Sequence, residues 1–98
     1  NGCLRLLRGS HKWTLRPEQL DEDLFFREDL PEHQSLLDTA VTAELKAGDV
    51  VFFHARCFHA ATRNYSDATK YSAVFTFRSL DNAPVPGTRS AQLPELLL

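Results

Sequence analysis

The side chains best suited to metal or proton chemistry are four histidines, His11, His33, His54 and His59, and two cysteines, Cys3 and Cys57. His54 and His59 are the pair to weigh. His59 follows Phe58 and runs into Ala60-Ala61, small residues that leave room beside an imidazole for a metal or a substrate. From spacing alone the plainer reading is favoured, that both histidines are hydrogen-bonded core or loop residues. Zinc held by His54, Cys57 and His59 is disfavoured, because odd separations along a strand point to opposite faces. Cys57 reads instead as a small buried apolar residue. The Ser10-His11 pair lacks the orienting acid that nucleophilic catalysis needs, and no glycine-rich phosphate cradle occurs. The acidic run Asp21-Glu22-Asp23 lacks the glycine of an EF-hand loop and reads as a solvated face.

These residues are carried by elements that the pattern makes short. Cys3, Leu4, Leu6 and Leu7 followed by Gly9-Ser10 predict a strand, buried on at least one face, that runs into a polar loop. Thr14 to Leu37 is polar and broken by Pro17 and Pro31, an irregular excursion with a short helical turn after Pro31, where Glu32 suits the positive end of the helix dipole. Val41, Ala43 and Leu45 alternate with polar residues, Ala47-Gly48-Asp49 supplies a turn, and Val50 to His54 continues as an interior strand apolar on both faces. Another strand is expected where Tyr71, Ala73, Phe75 and Phe77 alternate with Ser72, Val74, Thr76 and Arg78. The chain divides into a body, 1–82, and an extended C-terminal segment, 83–98, whose Leu96-Leu97-Leu98 either packs back or frays. The fold class is all-β, a partial double-stranded β-helix of the jelly-roll or cupin kind with an irregular or short helical insertion.

Composition narrows the partners. The chain has 98 residues, 43% hydrophobic and 24% charged, with a formal net charge of -2, which describes an ordinary globular chain. With 11 basic against 13 acidic residues nothing favours a nucleic-acid backbone or an anionic membrane surface. No apolar run approaches the roughly 20 residues of a bilayer span. Two cysteines without a CxxC spacing suggest a reducing, cytoplasmic compartment. The sequence opens on Asn1 and contains no methionine, so it is read as a processed form or a piece of a longer reading frame.

The ordered string Asn1-Gly2-Cys3-Leu4, Gly9-Ser10-His11-Lys12-Trp13, Gly48-Asp49-Val50-Val51-Phe52-Phe53-His54 and then His59 resembles the phytanoyl-CoA dioxygenase family. The similarity spans about residues 1 to 80. It implies a C-terminal part of an oxygenase that uses iron(II) and 2-oxoglutarate on a double-stranded β-helix. By that resemblance His59 is the distal histidine of a two-histidine, one-carboxylate iron triad, and His54 is not a ligand. Lys70, eleven residues beyond His59, takes the place of the arginine that binds the distal carboxylate of 2-oxoglutarate, as a point charge without a bidentate fork. Arg63-Asn64-Tyr65-Ser66 matches the family's polar turn.

Departures from the pattern are specific. No histidine here is followed two positions later by Asp or Glu, so the family's His-Xaa-Asp ligands are expected upstream of Asn1 and this piece alone is expected to be inactive. Arg8 replaces the usual proline before Gly-Ser-His, and Ala61 stands where many relatives have a serine. The implied reaction is decarboxylation of 2-oxoglutarate to succinate, coupled to hydroxylation of an unidentified small organic substrate by molecular oxygen. The alternative is a non-catalytic jelly-roll binding module or a decayed oxygenase. Neither substrate nor oligomeric state is legible.

Overall fold

A computed structural model of the chain describes residues 2–96. Its regular elements are β1 (Leu4–Leu6), α1 (Pro31–Leu37), β2 (Val41–Ala43) and β3 (His59–Ala61), with single 3-10 turns at Ser10–Lys12, Pro17–Gln19 and Arg89–Ala91. The three strands form one antiparallel sheet in the order β2-β1-β3. Leu4 pairs with Ala43 and Ala61, and Leu6 with Val41 and His59. Hydrogen bonds carry the β1–β3 pairing beyond both ends, Leu7 N–H to the Phe58 carbonyl at 3.0 Å and Thr62 N–H to the Cys3 carbonyl at 2.8 Å.

Local chemistry sets where each element stops. After Leu7 the chain turns through Gly9 at φ 77, a left-handed value that glycine adopts without steric cost, and Ser10 N–H bonds back to the Leu7 carbonyl. Pro31 opens α1 at a position where a missing N–H costs nothing, and Glu32 sits in its first turn. The helix closes where Thr39 Oγ donates to the Leu36 carbonyl at 2.6 Å and the chain extends into β2.

Successive strand residues face opposite sides, so the register divides the sheet into two faces. Arg5 and Ala60 share one face with Thr42, and the Arg5 guanidinium reaches the Leu37 carbonyl of α1 at 3.4 Å. Leu4, Leu6, Val41, Ala43, His59 and Ala61 share the other. A small aromatic cluster closes the interior: Phe26 lies 5.0 Å from Phe58 and 6.1 Å from Trp13, ring centre to ring centre. Leu7, Cys57, Ser10 and His33 are the buried residues beside it, and burying a side chain such as Leu7 contributes about 1.5–3 kcal/mol.

The first strand, the helical turn after Pro31 and the strand at Val41 stand where the sequence puts them. The turn at Ala47-Gly48-Asp49 also forms, with Asp49 Oδ2 accepting the Lys46 N–H at 2.8 Å and Gly48 at φ 92. It does not close a hairpin, because Val50 to His54 forms no ladder with β2. Two expected strands require correction. Val50 to His54 is not an interior strand: it has no ladder, and Val50 and Phe52 are 72% and 82% exposed. Tyr71 to Arg78 is likewise unpaired, with Tyr71 90% exposed. Alternation shows that a segment can bury a face, while a strand also needs a second backbone to accept its N–H groups. Neither segment has that neighbour among the described residues. Of the expected all-β fold, the described residues show a three-stranded antiparallel sheet and one short helix. In the C-terminal segment Glu95 is held by the Arg78 guanidinium at 2.7 Å, and the reading of Leu97 and Leu98 falls outside the described residues.

Candidate functional site around His59

His59 begins β3, an edge strand. Its Nδ1 lies 2.9 Å from the Cys57 carbonyl oxygen. A carbonyl only accepts, so in this contact Nδ1 carries the proton, and the neutral ring holds its lone pair on Nε2. The Phe53 ring packs against the imidazole, centres 4.7 Å apart and tilted by 58°. An imidazole whose other nitrogen donates to a backbone carbonyl is prepared to ligate a metal.

His54 uses its ring differently. Its Nδ1 accepts the Arg56 N–H at 3.1 Å, and its face stacks on His11 at 5.2 Å. Cys57 is buried, with its thiol 3.4 Å from the Leu7 carbonyl and 3.5 Å from Ser10 Oγ. The thiol thus faces the interior, which removes a zinc site from His54, Cys57 and His59 and bears out the reading of Cys57 as a buried small residue. Among the described residues no group of three His, Cys, Asp or Glu side chains is placed to hold a metal ion. An imidazole is a donor type that suits ferrous iron, and the described residues do not supply a complete site.

Lys70 closes a corner. Its Nζ donates to the Gly2 carbonyl, tying the start of the first strand to the loop that follows the last. Gly2 sits there at φ 62, where a Cβ would meet Asn64 Cβ at 3.4 Å and Lys70 Cδ at 3.6 Å. The polar turn is internally bonded: Asn64 Oδ1 accepts the Ser66 N–H at 3.0 Å and its hydroxyl at 2.7 Å, while Asn64 Nδ2 donates to the Ala68 carbonyl at 2.8 Å. The Arg63 guanidinium lies 5.3 Å over the Tyr65 ring.

Lys70, Ala61, Thr62 and Ser66 border an open hollow of about 420 Å³. His59 borders another of about 100 Å³, with Leu6, Leu7, Phe26, Leu37, Arg5 and Glu28. The structure therefore places His59 at the start of β3 and Lys70 in the segment beyond its end, and the two border different hollows. Ala61 shares the His59 face of the strand and borders the Lys70 hollow.

Sequence reasoning missed two buried polar groups. Ser10 and His33 are 2% and 1% exposed. Ser10 was visible as part of Gly-Ser-His, but as a motif letter and not as an interior hydroxyl. His33 offered no signal beyond a histidine on a short helix. Its Nδ1 lies 2.6 Å from the Arg27 carbonyl and its Nε2 3.2 Å from the Gln19 amide nitrogen.

The family model described as phytanoyl-CoA dioxygenase matches residues 1–72. The chain is 31% identical over 72 residues to phytanoyl-CoA dioxygenase 1 of Oryza sativa subsp. japonica, covering 74% of this chain and 26% of that protein. It is 32% identical over 69 residues to the iron/alpha-ketoglutarate-dependent dioxygenase ausO of Aspergillus calidoustus, covering 69% and 19%. Dioxygenase olcK of Penicillium canescens is 36% identical over 76 residues, covering 78% and 20%. The chain thus spans about a quarter or less of the length of these curated relatives. No solved structure matches, and among the described residues no helix is long and apolar enough to cross a membrane. The matched segment includes Gly-Ser-His, the Phe53-His54 run, His59 and Lys70 together, and on that extent the chain belongs to the phytanoyl-CoA dioxygenase family.

Proposed function

We propose that this chain is the C-terminal part of an iron(II)- and 2-oxoglutarate-dependent dioxygenase built on a double-stranded β-helix, to which it contributes His59 as one iron ligand and Lys70 as the cation for 2-oxoglutarate. The observation that carries the reading is the His59–Cys57 contact, which places the ring proton on Nδ1 and leaves Nε2 of this exposed residue as the nitrogen with the lone pair. Iron(II), when held by His59 with donors outside these residues, would supply activation of molecular oxygen for hydroxylating a small organic substrate. The chain's own part is to fix the tautomer of His59, hold its ring against Phe53, and present a positive charge at the corner formed by Gly2 and Lys70. Family membership and the name of ausO support the choice of metal and co-substrate.

The test is iron(II) binding and succinate formation by the longer protein containing this sequence. His59→Ala is expected to abolish both, and unchanged turnover in that variant would overturn the reading. The separation of His59 and Lys70 into two hollows, with Ala61 in place of a hydroxyl, favours the second reading of a non-catalytic binding module. That reading requires a protein that binds a small molecule without consuming 2-oxoglutarate.

A further inference from the structure

One peptide group stands between a buried hydroxyl and the His59 ring. Ser10 Oγ accepts the Phe58 N–H at 2.8 Å. That N–H belongs to the same peptide unit as the Cys57 carbonyl, whose oxygen lies 2.9 Å from His59 Nδ1. Ser10 in turn is 2% exposed and directs its own proton to the Cys57 thiol at 3.5 Å. Its place is set by the turn after β1, where Ser10 N–H bonds to the Leu7 carbonyl at 3.2 Å. The Cys57 thiol adds a contact to that same Leu7 carbonyl at 3.4 Å.

We propose that Ser10 is a positioning residue for His59, acting through the peptide that joins Cys57 to Phe58; its role in iron binding rests on the reading of His59 as a ligand. Two physical effects follow from the connectivity. Holding the peptide N–H fixes the plane of the Cys57–Phe58 unit, and so fixes the direction from which its carbonyl receives the His59 proton. Accepting the N–H also polarises the peptide, because hydrogen bonds in series strengthen one another, and makes the carbonyl a better acceptor. Both effects favour the Nδ1–H tautomer and keep the Nε2 lone pair in a fixed direction. Metal-binding histidines depend on such outer partners. The serine of Gly-Ser-His thereby acquires a task distinct from turn formation, and it reaches His59 without touching it.

The test reads the tautomer directly, without metal. In this 98-residue chain labelled with 15N at histidine, the ring nitrogens of His59 are expected to report Nδ1 protonated in the neutral ring. Ser10→Ala should shift the ring toward a mixture of tautomers, and Ser10→Thr, which keeps the hydroxyl, should restore the original signal. Cys57→Ala is the packing control, since it removes a buried side chain but leaves both the Ser10 acceptor and the Cys57 carbonyl. It is expected to leave the tautomer unchanged. If Ser10→Ala does not fold, Ser10→Cys keeps the shape with a weaker acceptor and should show a partial shift. A folded Ser10→Ala chain with an unchanged His59 signal would overturn the proposal, and so would a Cys57→Ala shift as large as that of Ser10→Ala. In the longer protein Ser10→Ala should weaken iron(II) about 10- to 100-fold. A tautomer shift without any change in iron affinity would leave the positioning intact and remove His59 from the ligand set.

Discussion

His33 lies over Phe26 with ring centres 4.0 Å apart and planes only 16° from parallel. The same imidazole joins the two sides of the loop that carries Phe26, since one nitrogen meets the Arg27 carbonyl and the other the Gln19 amide. In that pairing Nδ1 donates to the carbonyl and Nε2 accepts from the amide, while the Gln19 Oε1 is already taken by the Arg16 N–H at 3.0 Å. Every polar atom around the ring is therefore used. His33→Ala removes the stacking partner and leaves two polar groups facing a void. A loss of about 2–4 kcal/mol is expected by denaturant unfolding. His33→Phe retains the ring volume and still strands both partners, so it should cost about 1–3 kcal/mol. Stability equal to the parent chain in both variants would exclude this role of His33 in joining the two sides of the loop.

Leu24 is the only non-glycine residue with positive φ among those described, at 64°. It sits at the tip of the loop whose base is the Leu20–Phe26 bridge, and Asp21 Oδ1 forces the turn by accepting the N–H groups of Asp23 and Phe25 at 3.0 and 2.8 Å. The side chain is 73% exposed, so replacing it loses little packing. Leu24→Gly relieves left-handed strain of roughly 1–2 kcal/mol and gives back roughly 0.5–1 kcal/mol through the freedom glycine gains when unfolded. The expected net is a stabilisation of about 0.5–1 kcal/mol. A lower melting temperature for Leu24→Gly would show that the side chain makes a contact the fold needs.

What the sequence made legible and what it hid divide along the same physical line. Local signals were sufficient for α1, where Pro31 and Glu32 mark a helix start, and for the Gly48 turn. An apolar cluster ending at Gly9-Ser10 located β1, and alternation located β2. It failed for Val50–His54 and Tyr71–Arg78, since alternation reports a capacity to pair, and the backbone that pairs is a separate matter of topology. The same limit applies to the site. The family resemblance, and not spacing alone, pointed to His59 and Lys70. It could not show that Ser10, 48 residues from Phe58 in sequence, closes the peptide beside His59, because that contact exists only after β1 and β3 have paired.

Asp29 and Arg27 form an exposed pair whose titration is predictable in sign. Hydrogen bonds from the Arg27 guanidinium, one of them 3.0 Å long, hold the Asp29 carboxyl below the usual carboxylate range. A carboxyl depressed on folding adds stability above its unfolded value, near 4, and that contribution disappears as the pH falls through the folded value. Asp29 should therefore titrate at lower pH than a free aspartate when its carboxyl carbon is followed by NMR. Arg27→Gln should return it toward the ordinary value, and added salt should reduce the shift in the parent chain. An Asp29 midpoint insensitive to Arg27→Gln would assign the shift to another cause.

Lys70 separates a structural pin from a ligand-binding charge. Its Nζ donates to the Gly2 carbonyl, and Gly2 N–H bonds to the Arg63 carbonyl at 3.2 Å, so Lys70 helps hold the first residues of the described chain against Arg63. An ammonium has three donors, and the Gly2 bond uses one, leaving two for an anion in the adjoining hollow. Lys70→Ala should therefore do two things: speed hydrogen exchange at Gly2, and weaken 2-oxoglutarate in the longer protein by about 10- to 150-fold, as expected for loss of a charged hydrogen bond. Lys70→Arg is the discriminating variant. A guanidinium can meet a carboxylate with two parallel bonds, so it should bind 2-oxoglutarate at least as tightly as lysine does. Faster exchange at Gly2 in Lys70→Ala, with unchanged 2-oxoglutarate affinity in both variants, would reduce Lys70 to the pin alone.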